Sequence, residues 1–100
     1  MNPYMYLFTR ADLSIPQQIV QTAHAVDEIG MRHKSDGTNF MVLCDAASEE
    51  HLFTIAECLD KHEIDYEMFF EPDIGQHTAI ATQPLRGSQR TPLRKFQLKR

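Results

Sequence analysis

Two short stretches, Tyr4–Thr9 and Asn39–Cys44, are apolar or aromatic at almost every position, with a helical pattern from Ser14 to about Gly30 between them. Strands that do not alternate between polar and apolar residues are buried on both faces, as in a sheet covered by helices. A right-handed crossover makes the pair parallel. Ser14, followed by Pro16 and Gln17, marks the helix start, and Ile19, Val20, Ala23, Val26 and Met31 supply its expected core stripe. Gln17, Gln21, His24 and Glu28 share another face.

Ser48, then Glu49 and Glu50, opens a second helix whose apolar residues are Leu52, Ile55, Ala56 and Leu59 and which ends near His62. Ile64–Phe70 has mixed strand character. Glu71-Pro72-Asp73-Ile74-Gly75 is a turn, and Thr78–Thr82 alternates as a half-exposed strand does. The expected architecture is therefore α/β: a single domain spanning residues 1–100, with a small mixed four-stranded sheet and helices on both faces. The element order is β-α-β-α-β-β, followed by a basic tail, 86–100, in which Gly87 and Pro92 limit any last helix to about Thr91–Leu98.

The chain has 100 residues, enough for one core, and its formal net charge of -4 argues against a protein that coats nucleic acid. That average conceals a division. Residues 1–85 hold all 14 acids and four of the bases, whereas 86–100 hold six bases and no acid. No run approaches the roughly 20 apolar residues of a membrane span, and Met1-Asn2-Pro3-Tyr4 does not resemble a signal peptide. With only Cys44 and Cys58, both expected as free thiols, a cytoplasmic location follows as the expectation.

Sites in such sheets form beyond the carboxyl ends of the strands. That edge should gather Thr9, Arg10, Asp12, Ser14–Gln17 and Glu71–Gly75. His24, between small residues, is either a structural hydrogen-bonded group or a functional one. Asp73 either shapes a turn or presents a carboxylate as a general base or water-orienting group. Cys44, His51, Cys58 and His62 match no standard zinc framework, so neither metal nor cofactor is expected.

Thr9-Arg10-Ala11-Asp12-Leu13 followed by Gln21-Thr22-Ala23-His24-Ala25 resembles the opening of the peptidyl-tRNA hydrolase 2 family. The likeness continues through Ser48-Glu49-Glu50 and Asp73-Ile74-Gly75, and spans residues 4–83. It implies a metal-free esterase, often dimeric, that cleaves the bond between a peptide and the ribose at a tRNA 3′ end. On that implication Asp73, His24, Gln17 and Thr78 are the catalytic candidates, and Arg10, Asp12, Gln21 and His77 bind substrate. Two departures stand out: Gln17 occupies the place of a family lysine in a loop two residues shorter, and His77 lies where an Arg-Thr pair would end. A neutral amide attracts phosphate or stabilises an oxyanion less well than a cation. Arg86 and Arg90 of the tail are then the remaining candidates for tRNA contacts, and truncation after Leu85 is expected to cost RNA affinity before it costs the fold. The alternatives are a tRNA-end-binding module without catalysis and a protein-interaction adaptor whose polar helix face packs a dimer.

Overall fold

The structure, a computed structural model, describes residues 2–34 and 37–99. Its elements are β1 (Tyr4–Arg10), α1 (Ile15–Gly30), β2 (Phe40–Ala46), α2 (Glu49–Lys61), β3 (Tyr66–Glu71) and β4 (Gln76–Thr82), then a 3₁₀ helix over Gly87–Leu93. The mixed sheet has the order β2-β1-β4-β3. β1 runs parallel to β2 and antiparallel to β4, and β4 runs antiparallel to β3. Both helices start at serines: the Gln17 amide donates to Ser14 Oγ at 3.3 Å and the His51 amide to Ser48 Oγ at 3.2 Å.

The central strand β1 feeds two cores. Tyr6 and Phe8 join Cys44, Ile80 and the α2 residues Leu52, Ile55 and Leu59 on one face. Met5 and Leu7 join Ala79, Ala81, Ala25 and Ile29 beneath α1 on the other. An irregularity between Phe69 and Phe70 leaves Thr78 as an extra residue of β4. Through it, His77 meets α2 while Thr78 and the following Ala79 both meet α1.

Thr78–Thr82 is buried on both faces rather than half-exposed, since Ile80 enters the core beneath α2 and Ala79 and Ala81 the core beneath α1. Three further expectations are corrected. α1 buries Gln18, Gln21, Ala25 and Ile29, whereas Ile19 is 66% exposed and Val20 and Met31 lie open. The helix packs its polar side on the sheet because Ala79 and Ala81 allow close approach and Thr78 gives Gln21 a hydrogen-bond partner. Second, β2 is an edge strand over which α1 does not extend, so Phe40, Met41 and Leu43 are exposed rather than buried.

The tail is the third. Instead of a helix over Thr91–Leu98, the chain forms its 3₁₀ helix early and then returns to pair with β2. Leu93 is 1% exposed, Phe96 packs edge-on against Phe8, and the Asp45 and Lys99 amides bond to Gln97 O and Leu43 O. These contacts cover part of the outer edge of β2. The tail belongs to the core, so its removal acts on the fold first. Leu93→Ala is expected to cost ~2–5 kcal/mol in urea denaturation. Truncation after Leu85 should abolish cooperative unfolding; a truncated chain of full stability would contradict this placement.

Candidate functional site

At the carboxyl end of β1, Arg10 is 6% exposed and its guanidinium is a strut. Nε and Nη2 donate to the two Asp12 oxygens at 3.0 and 2.8 Å, and Nη1 donates to Gln76 Oε1 at 2.8 Å and His77 O at 3.0 Å. This bidentate fork ties the loop after β1 to the start of β4. Hydrogen bonds from Arg10 hold the Asp12 carboxyl below the usual carboxylate range.

His77 lies beside this strut. Its backbone amide donates to Glu49 Oε2 at 2.8 Å, which pulls the Glu49 pKa down, and its ring Nδ1 lies 3.4 Å from the same oxygen. That second distance is not a formed hydrogen bond, since Nδ1 is buried without a hydrogen-bond partner among the described residues. The rings of Phe53 and Phe70 meet the imidazole at 5.3 and 5.1 Å, edge to face. A carboxylate beside a packed imidazole is an arrangement suited to proton transfer.

The other candidates are dispersed. Asp73 is exposed in the β3–β4 hairpin, where its amide donates to Glu71 Oε1 at 3.3 Å and Gly75 takes a φ of 66°. Gln17 is exposed in the first turn of α1. Thr78 is fully buried and donates to Gln21 Oε1 at 3.0 Å, linking β4 to α1. His24 stacks flat on Phe69, with ring centroids 4.5 Å apart, over β3 rather than at the edge. Arg90 stacks over the Tyr4 ring at 3.5 Å and donates to Tyr6 Oη at 3.1 Å, while the Arg86 amide donates to Gln89 Oε1. Both arginines thus sit at the amino end of β1, about 20 Å from Arg10 at ~3.3 Å per residue.

Burial pushes the Cys44 thiol up to about 11, so it is unreactive, and Cys58 is also a free thiol. Among the described residues no cluster of His, Cys, Asp or Glu could hold a metal ion, and no helix is long and apolar enough to cross a membrane.

Sequence reasoning missed Glu49, Gln76, Phe53 and Phe70. Glu49 reads there only as a charge suited to a helix start, and no spacing signals its approach to His77, 28 residues away.

The fold and site define a small mixed α/β domain with a hydrogen-bonded polar cluster at the carboxyl edge of its sheet. Among solved structures, a protein of unknown function from Agrobacterium tumefaciens strain C58 is similar to it, with a TM-score of 0.70 and 14% identity over 100% of this chain and 99% of that one. No protein-family model and no curated protein matches the sequence. The likeness to the Agrobacterium protein is one of fold.

The lowered carboxyls set an acid limit. Asp12 and Glu49 have folded pKa values below their unfolded ones, so their stabilisation is present above the unfolded values, ~4, and is lost as pH falls through the folded values. Asp12→Asn should flatten the acid side of the stability profile, measured by urea unfolding from pH 7 to pH 3. Because the Asp12 side chain is 42% exposed, its own share should stay below ~1 kcal/mol.

Proposed function

We propose that the chain hydrolyses the ester joining a peptide or aminoacyl group to a tRNA 3′ ribose, at the carboxyl edge of the sheet. The observation that carries this reading is the His77–Glu49 pair, packed between Phe53 and Phe70 beside the Arg10 strut. His77 takes a proton from water as the water attacks the ester carbonyl, and Glu49 stabilises the imidazolium that forms. The proton then passes to the departing ribose oxygen. The resemblance adds two groups to that pair: Asp73, on the adjoining hairpin, as the carboxylate that orients the water, and Gln17 as a donor to the developing oxyanion. Arg10 acts through others, because its donors hold Asp12, Gln76 and the His77 carbonyl.

A second reading is favoured by the buried Thr78–Gln21 hydrogen bond, which spends two groups of the resemblance on holding α1 to β4. In it the chain binds a tRNA end in the cytoplasm, alone or as a homodimer, without cleaving it.

The decisive assay incubates the purified chain with peptidyl-tRNA and aminoacyl-tRNA. Wild type should release the acyl group, His77→Gln should slow release at least 100-fold, and Asp73→Asn should slow it less if Asp73 only orients water. Activity that appears only in Gln17→Lys would transfer the case to the binding module, whose RNA affinity should fall steeply with salt. Absence of both hydrolysis and RNA affinity would defeat the two readings together.

A further inference from the structure

Nothing among the described residues covers the outward face of α1. The helix turns Gln18, Gln21, Ala25 and Ile29 to the sheet, which leaves Ile15, Ile19, Val20 and Met31 in solvent. Beyond Val26 the apolar surface continues across a groove of about 600 Å³ to Met41 and Leu43 of β2. The six open residues are between 40% and 71% exposed. At roughly 170 Å² for a whole residue of this size, they present roughly 600 Å² of apolar surface to water, the upper end of the largest patch on an ordinary monomer.

The helix face is self-complementary. Ala23, small and exposed, stands at its middle. Val20 precedes it by three residues and Val26 follows it by three; Pro16 and Gly30 stand seven away on either side, and Ile15 and Met31 eight away. Two copies of such a helix, laid antiparallel with Ala23 on Ala23, bring Ile15 of each to Met31 of the other and Val20 of each to Val26 of the other. That exchange is what an isologous two-fold interface requires, and a partner of any other sequence has no use for the mirror order. With only a methyl group at the crossing, the two axes can approach to ~8 Å. Asp27 is the one charge on this face and breaks the mirror order. It shares a shallow depression with Lys34, which keeps a cation near its carboxylate as the apolar surface closes.

We propose that α1 packs against α1 of a second copy of this chain, antiparallel and crossing at Ala23, with Met41 and Leu43 of each copy flanking the contact. Pairing the two apolar faces removes roughly 1,200 Å² from water, the size at which specific interfaces become stable. The interface lies on the sheet face opposite α2, whereas His77 meets Glu49 of α2. It therefore stands whether or not the chain hydrolyses an ester, and its assay involves no substrate.

Sedimentation of the full chain should show a dimer at about 50 µM, within the affinity range of interfaces this size. Ile19→Glu, at an exposed position, should weaken association at least about 100-fold while leaving the circular dichroism spectrum unchanged. Cross-linking reads the register. In a Cys58→Ser background, Ala23→Cys should oxidise rapidly to a covalent dimer, because the two-fold axis sets that position against itself, whereas Gln17→Cys, off this face, should not. A chain that stays monomeric at that concentration, including one that sediments instead with phosphatidylcholine vesicles, would overturn the proposal. So would a dimer that survives Ile19→Glu, or an Ala23→Cys chain that cross-links no faster than Gln17→Cys.

Discussion

Every layer of this domain depends on burying both faces of β1. Phe8 is fully buried towards α2, while Leu7, one residue earlier, lies beneath α1. A strand that serves two cores needs a neighbour on each side, supplied by parallel β2 and antiparallel β4. Because β3 turns back into β4, which runs antiparallel to β1, the carboxyl ends of β1 and β3 share one edge with the start of both helices. Arg10 leaves the core at that edge, and its low exposure requires the full set of acceptors it has found. The geometry around His77 is thus inherited from the strand's burial: the Arg10 guanidinium grips the His77 carbonyl and the neighbouring Gln76 side chain.

The strands, the serine caps and the edge that collects polar residues are legible in the sequence because each rests on local periodicity or a short motif. Ser14 and Ser48 cap their helices as read. The face that α1 turns inward is not legible. Its apolar stripe contains Ile19 and Val26, and hydrophobicity alone would bury it. What decides the orientation is the partner surface, where Ala79 and Ala81 admit a close helix and the irregularity at Thr78 presents a hydroxyl to Gln21. Thr78 lies 57 residues from Gln21, beyond the reach of any pattern of three or four.

The same rotation explains both the candidate site and the groove. With Gln21, His24 and Glu28 turned towards β4 and β3, the polar face is consumed in packing: Gln21 against Thr78, His24 against Phe69, and Glu28 against Glu67, whose hydrogen bond raises the Glu28 pKa. A polar stripe that looks like a reactive surface in sequence is instead the seam of the domain. The apolar residues displaced from that seam emerge beside β2, where they line the groove with Met41 and Leu43.

The division of charge along the chain acquires a structural meaning from the tail's path. Leu85 pairs with Tyr4 at the amino end of β1, and Leu98 pairs with Cys44 on β2, so the segment between them straps the α2 face. Its apolar residues, Leu93 and Phe96, enter the core. Its cations find local partners: Arg90 lies on Tyr4, Lys99 on Asp45 and Lys95 over Phe96. A basic segment joined to an acidic body gains from Coulomb attraction over the whole strap, though each exposed pair adds little. Covering the edge of β2 also removes hydrogen-bonding groups that would otherwise recruit another strand. The positive charge that sequence suggests for RNA therefore serves first to close the domain. An anion drawn to Arg90 lies at the amino end of β1, about 20 Å from Arg10, whereas Lys99 sits on Asp45, which pairs with Thr9 beside Arg10.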